Sequence, residues 1–283
     1  MNPEAVTRLN SSLHDSEVKV GLDQLIGRKK EERWAMTGQG QTKGDYGIDA
    51  PLFIRNLMIA AVVCLISALL ILAELLGTTI GNFIGSVLLI FFLAFSVAAA
   101  CMIWSSKIGK YREREKILDL VPIEGNETVL DVGCGRGLLL NSAARRLFAG
   151  EAVGIDIWKK EDQSGNDPDV TRANAEAEGV ADRIEILSSD MREIPFRSNH
   201  FDIVVSNIAI HNLHSREDRE ADLREILRVL KPGGRIVISD IRNTAEYAGY
   251  FASVGVEGIQ KVGPHYGMFP PVRIVAGLLR SAS

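Results

Sequence analysis

Val129-Leu130-Asp131-Val132-Gly133-Cys134-Gly135-Arg136-Gly137, followed by Leu138 to Leu147, is the stretch whose reading decides the fold. The apolar run reads as a short buried strand closed by an acid. A glycine-rich turn follows, and the next segment reads as a helix that packs against a sheet. Strand, glycine turn and helix in that order present a nucleotide-like ligand at the carboxyl edge of an α/β sheet.

Downstream, strands and helices keep alternating. Glu127–Val132, Ala152–Ile157, Ile184–Leu187, Phe201–Ser206 and Arg235–Asp240 read as five strands. Pro168 to Glu178 and Ser215 to Leu230 read as helices between them, the second with Leu223, Ile226, Leu227 and Leu230 on one face. Ser215 with Asp218 three residues on resembles a capping box. Asn243 to Val254 predicts a further helix, and Val256–Val262 with Val272–Leu279 predicts a hairpin at the sheet edge. The expected fold is a doubly wound, mostly parallel, seven-stranded Rossmann-like α/β sheet.

The amino-terminal third is different. Residues 1–50 are polar and mixed in charge, and read as a tail or as a lid anchored by Trp34 and Tyr46. Leu57 to Ala73 and Phe83 to Trp104 carry no charge, with a short uncharged connection at Gly77 to Asn82. A bilayer core needs about 20 apolar residues per helix, so residues 51–104 predict a transmembrane helical hairpin. Arg28 to Arg33 and Lys43 precede it, Lys107, Lys110, Arg112, Arg114 and Lys116 follow it, and the connection has no basic residue. The positive-inside rule then predicts a multi-pass membrane protein with both termini and the 105–283 domain in the cytoplasm. Lys107 to Val121 reads as an amphipathic helix joining hairpin to domain, with Ile108, Tyr111, Ile117 and Leu118 available to face inward.

Bulk properties narrow the function. With 32 basic and 36 acidic residues the net charge is −4, which gives no general attraction to nucleic acid. Of the three cysteines, Cys64 and Cys101 lie in the apolar stretches and Cys134 in the glycine turn. No CxxC occurs and no Cys/His cluster has metal spacing, so neither a metal site nor a disulfide framework is expected.

A glycine turn with an acid some way on also describes a dinucleotide-binding fold. Three details favour another ligand. The turn is Gly133-x-Gly135-x-Gly137 and lacks the final GxxG spacing. Asp131 sits just before it, well placed beside an ammonium or sulfonium and badly placed beside a pyrophosphate. A further acid, Asp190, ends the third strand.

With those residues in place, the domain resembles the class I S-adenosylmethionine-dependent methyltransferases. The matching stretches are Leu130 to Gly137, Gly154-Ile155-Asp156, Ser189-Asp190-Met191, Phe201 to Asn207, and Leu227 to Gly234 with its Lys231-Pro232-Gly233-Gly234 turn. The chain looks most like the small-molecule branch, which includes ubiquinone/menaquinone-type and sterol-type C-methyltransferases. The resemblance does not reach the hairpin or the tail.

The resemblance implies S-adenosylmethionine as cofactor and a role for each matched residue. Gly133, Cys134 and Gly135 would lie along its methionyl part, and Asp131 would receive the amino group. Asp156, followed by Ile157, would accept from the ribose hydroxyls. Asp190 and the Met191 backbone would address the adenine. Asn207 and Ile208 would line the side where the methyl is presented. Cys134 reads as a small residue in a crowded turn.

Methyl transfer needs a base only when the acceptor must lose a proton. His211 is the first candidate for that role, with loop ordering as its other reading. Tyr111, His265 and Tyr266 depend on how a lid closes. The Asn/Asp-Pro-Pro-aromatic signature of many amide- and base-amino methyltransferases is absent, since the fourth strand runs into Ser206-Asn207-Ile208-Ala209. The expected function is a membrane-anchored methyltransferase for a small, apolar or lipid-like acceptor. The alternatives are a soluble metabolite or protein as acceptor, or a membrane regulator that binds the cofactor without turnover.

Overall fold

In the computed structural model, residues 44–75 and 77–280 are described. Trp34 and the rest of the expected tail up to Lys43 lie outside them.

Two long helices come first, α1 (Pro51–Glu74) and α2 (Thr79–Trp104). Pro51 opens α1, where its missing N–H costs nothing. Thr78 caps α2 by accepting from the Gly81 amide at 3.1 Å. The helices pack on each other through small residues: Gly85 sits so close to Leu72 that an added Cβ would lie 2.7 Å from it. Outside that seam their apolar side chains are bare, and only 11% of the most apolar window of each helix is buried.

α2 continues through a π-helical turn (Ser105–Gly109) into α3 (Lys110–Asp119). The expected separate joining helix is thus the continuation of the second apolar helix. Ile117 and Leu118 are fully buried as expected, whereas Ile108 points outward. The π-turn rotates the face that a continuous α-helix would have kept inward.

The domain is then built as β1 (Thr128–Val132), α4 (Leu138–Ala144), β2 (Glu151–Asp156), α5 (Pro168–Glu178), β3 (Ile184–Ser188), β4 (Phe201–Asn207), α6 (Arg216–Val229), β5 (Leu230–Asp240), α7 (Thr244–Ser253), β6 (Val256–His265) and β7 (Val272–Leu279). The sheet order is β3-β2-β1-β4-β5-β7-β6. The first five strands run parallel, and β7 joins β5 and β6 antiparallel, so the sheet is mixed with the hairpin at its edge. Alternating residues of β1 feed two cores. Val129 packs with Ile117, Leu140 and Ala175 on the α3/α4/α5 side, and Leu130 with Leu223, Ile226, Tyr247 and Phe251 on the α6/α7 side.

Several boundaries follow from local chemistry. Asp167 caps α5 through the Asp169 amide at 2.9 Å, and Gly179 closes it at φ 70°. Ser215 caps α6 through the Asp218 amide at 2.9 Å. The Lys231–Gly234 turn differs from expectation. It lies inside β5 as a bulge, with Leu230 pairing Phe201 and Arg235 pairing Ile203. Gly233 at φ 78° lets the chain loop out and rejoin the same neighbour.

Candidate active site

The strand order reverses between β1 and β4, which is where open α/β sheets hold their ligands. A cavity of about 150 Å³ lies there, beyond the carboxyl ends of the parallel strands. The end of β1 and the turn after it supply Asp131, Gly133, Cys134, Gly135 and Arg136; the end of β2 and the segment after it supply Asp156, Ile157, Gln163 and Asn166. Met191 follows β3, and Asn207 ends β4, with Ile208, Ala209 and Asn212 after it.

Asp131 is the most unusual of these. It is buried to 1%, and its Oδ2 has no hydrogen-bond partner. Burial pushes its carboxyl up to about 8; the Leu140 amide in the first turn of α4 opposes this, and the nearby Asp156 adds to it. An ammonium ion brought to that oxygen would reverse the burial effect.

The glycine turn owes its shape to positive φ. Gly133 stands at φ 72°, and a Cβ there would come within 2.3 Å of the Ala209 side chain. The turns after β1 and β4 therefore touch across the switch point. Gly135, at φ 51°, donates its amide to Asp156 Oδ2 at 2.9 Å, while Asp156 Oδ1 accepts from Trp158 N at 2.6 Å and Asn166 Nδ2 at 3.2 Å. Asp156 thus fixes the turn as well as lining the cavity, and each oxygen keeps acceptor capacity. Ile208 sits at φ 54°, a strained conformation for a β-branched residue, held by its amide to Ser239 O at 2.8 Å. Burial raises the Cys134 thiol well above its ordinary value, in keeping with a small packing residue.

Two expected site residues lie outside the lining. Asp190 is turned to the surface and gripped by Arg192, with its Oδ2 2.7 Å from Nη2; Arg192 also reaches Asp218 at 2.7 Å. That pairing holds the Asp190 carboxyl below its usual range. Met191 alone represents this motif at the cavity. His211 is buried behind its neighbours Ala209 and Asn212, with Nδ1 2.7 Å from Asp240 Oδ1 at the end of β5. Asp240 also accepts from the His211 amide at 3.0 Å and from the Tyr247 hydroxyl at 3.2 Å. The weaker candidates are elsewhere. Tyr111 packs edge-on against Tyr46, His265 pairs with Glu113, and Tyr266 is exposed.

Residues 44–50, within the stretch read as tail or lid, and the start of α3 bring Asp49 and Lys110 to the cavity, and with Gln163 these are lining residues that sequence reasoning missed. Tyr46 is fully buried, accepting from Asn141 at 3.2 Å and donating to Glu178 at 3.1 Å. Lys110 Nζ donates to the Tyr46 carbonyl at 2.7 Å and the Gly47 carbonyl at 2.9 Å, and lies 3.3 Å from Asp49. Gln163 donates to Asp49 at 2.9 Å and accepts from the Arg136 amide at 2.9 Å. Asp49, Lys110 and Gln163 all line the cavity. Residues 44–50, the strap, are thus one wall of the site. Lys110 had been counted among the basic residues flanking the hairpin, but it is buried to 3%.

Residues 130–238 match the family model described as "Methyltransferase domain". The chain is 30% identical over 154 residues to 27-O-demethylrifamycin SV methyltransferase of Amycolatopsis mediterranei, covering 54% of this chain and 52% of that one. It is 31% identical over 131 residues to a sterol 4-C-methyltransferase of Caenorhabditis elegans, covering 46% and 36%. It is 33% identical over 122 residues to a ubiquinone/menaquinone biosynthesis C-methyltransferase of Ectopseudomonas mendocina, covering 43% and 44%. The chain therefore spans about half or less of the length of these relatives. Among solved structures, the [4+2]-cyclase SpnF superposes with a TM-score of 0.53 at 16% identity, over 63% of this chain and 83% of that one. That likeness concerns the fold.

Fold, glycine turn and matched segment together define a class I S-adenosylmethionine-dependent methyltransferase domain. Among its relatives are proteins named for sterol and for ubiquinone/menaquinone methylation. The residues present suit the class cofactor, S-adenosylmethionine: a buried carboxylate oxygen lacks a partner, and the glycine turn leaves no room for side chains.

Proposed function

We propose that this chain is a membrane-anchored methyltransferase that moves a methyl group from S-adenosylmethionine to a small apolar or lipid-like acceptor at the cytoplasmic face. The observation that carries this reading is where the two bare apolar helices end. Asp49 precedes α1 by two residues, Lys110 follows the π-turn of α2, and both line the cavity. At 1.5 Å per residue the 24 residues of α1 and 26 of α2 rise about 36 and 39 Å, against about 30 Å of hydrocarbon. An acceptor dissolved in the bilayer would thus meet the site at the foot of the hairpin. The relatives named for quinone and sterol methylation support an apolar acceptor.

S-adenosylmethionine, when bound, supplies a methyl group already activated on a sulfonium, so the protein's work is alignment and exclusion of water. Asp131 receives the ammonium, and Asp156 receives the ribose hydroxyls while it holds the Gly135 amide. Met191 bounds the adenine side, while Asn207 and the strained Ile208 bound the methyl side. His211, whose Nδ1 lies 2.7 Å from Asp240 Oδ1, is the candidate base. Where the acceptor must lose a proton, His211 would be the group to take it. Asp49, Lys110 and Gln163 close the site from water.

Comparing methylated lipids and methylated soluble metabolites in cells with and without the chain tests this reading. The expected difference is in a lipid-extractable species. A difference confined to soluble metabolites or proteins would overturn it, and cofactor binding with no methylated product would instead indicate a regulator.

A further inference from the structure

The foot of the hairpin carries a second docking point. In the π-turn, Ser105, Ser106 and Gly109 put small residues on one side of the helix, and each is buried against something from outside it. Ser106 Oγ accepts from the Asp49 amide at 3.1 Å, which ties in the strap. Ser105 and Gly109 hold the turn between β6 and β7. Phe269 N donates to Ser105 Oγ at 3.0 Å, and Met268, 3% exposed, lies against the same hydroxyl with its sulfur 3.6 Å away. An added Cβ at Gly109 would meet the Gly267 carbonyl at 2.1 Å, so only glycine permits this approach. Glu113 on α3 and His265 at the end of β6 pair beside it.

This clamp pins the hairpin tip beside the last turn of α2. Its two aromatic side chains nevertheless point away from the domain: Tyr266 is 77% exposed and Phe269 40%. Trp104 and Ile108, at the same end of the helix, are 42% and 41% exposed, and Lys107 between them is exposed as well. A core would have covered such rings. Aromatic rings with a lysine among them are what the headgroup level of a bilayer accepts, because ring bodies enter the acyl boundary while polar ends and ammonium stay wet.

We propose that the β6–β7 tip is a third membrane contact, with Tyr266 and Phe269 seated in the headgroup region of the cytoplasmic leaflet beside Trp104. This rests on the membrane reading above. The β6–β7 edge of the sheet then lies against the bilayer, and the catalytic domain is held at three points: two helices and one loop. The partner is a lipid surface, and the Lys107 charge favours an anionic one.

The test uses the full chain in phosphatidylcholine/phosphatidylglycerol vesicles whose acyl chains are brominated either near the headgroup or near the chain end. Single tryptophan probes are placed by Tyr266→Trp, by Phe269→Trp and, as a mid-span control, by Phe91→Trp, in a background with Trp34, Trp104 and Trp158 changed to Phe. Tyr266 is 77% exposed, so that probe remains informative if Phe269→Trp disturbs the fold. The expected result is that probes at 266 and 269 lose most of their emission to the shallow bromines and little to aqueous iodide, while the probe at 91 responds to the deep bromines. Probes at 266 and 269 that respond to iodide alone, with the one at 91 still quenched by lipid, would overturn the third contact and leave the hairpin standing. No lipid quenching at 91 would overturn the membrane reading and this inference with it.

Discussion

The Lys110 ammonium sits 3.3 Å from the Asp49 carboxylate and at the same time donates to the carbonyls of Tyr46 and Gly47 at 2.7 and 2.9 Å. One buried lysine on the continuation of the second apolar helix therefore staples down the segment that leads into the first. Burial lowers its affinity for a proton, while Asp49 raises it. Since Asp49 and Lys110 both line the cavity, the staple also sets how far the site stands open.

Lys110→Met should release the strap. Two backbone carbonyls and a carboxylate lose their donor, at about 1–3 kcal/mol of local stability. The cofactor should enter and leave faster, and cleavage by protease near residues 44–50 should speed up while the sheet stays folded. Stopped-flow binding of S-adenosylhomocysteine checks this. Unchanged association and dissociation rates would show that the strap does not gate the site.

Asp131→Asn should separate binding from stability. The Asp131 carboxyl has its pKa raised from 3.8 to about 8 by burial, so the folded state holds its proton more tightly than the unfolded chain does. Its contribution to stability is thus fully present below about pH 4 and is lost as pH rises through about 8. Asparagine removes that loss, so the cofactor-free variant should melt higher than the parent at pH 8–9. It should also bind the cofactor about ten- to a hundredfold more weakly, having lost a charge-assisted hydrogen bond of about 1.5–3 kcal/mol. In the parent, pairing a carboxylate with the ligand's ammonium should release close to one proton per binding event near pH 7. Titration calorimetry in buffers of different ionisation heat reads that number, and zero release would contradict the role given to Asp131.

His211→Ala and Asp240→Asn should act at the proton-transfer step. For an acceptor that loses a proton, kcat should fall by about 10²–10⁴, with the cofactor dissociation constant within a few-fold of the parent. Asp240 acts through His211, so Asp240→Asn should move the acid limb of the pH–rate profile, which loop disorder alone would not do. A fall in cofactor affinity equal to the fall in kcat would identify the pair as loop supports.

Much of this was legible in the chain because it is local. Strand, acid and glycine turn at 129–137 follow one another directly, and the strand–helix alternation behind them implies a mostly parallel sheet. What was not legible depends on distant pairs. Asp190 reads as the end of a strand, but β3 stops at Ser188, and Asp190 is paired with Arg192, which also reaches Asp218, at the surface. His211 alone had two readings, and Asp240, 29 residues later, supplies the partner that sequence spacing could not indicate. Lys110 looked like one more basic residue after an apolar helix. It follows the π-turn and is turned inward to the strap, donating to the Tyr46 and Gly47 carbonyls. Gln163 and Asn166 lie in a stretch without periodicity, where nothing in the sequence singles them out.

The most direct measurement of the central claim is transfer of label from methyl-labelled S-adenosylmethionine by the full chain in vesicles made from total cellular lipid. The reaction is then divided into organic extract, aqueous metabolites and protein. The account predicts that label enters the organic extract, and that Asp131→Asn slows the transfer at limiting cofactor in proportion to its weaker binding. Label confined to the aqueous or protein fraction, with the parent chain folded and binding cofactor, would contradict it.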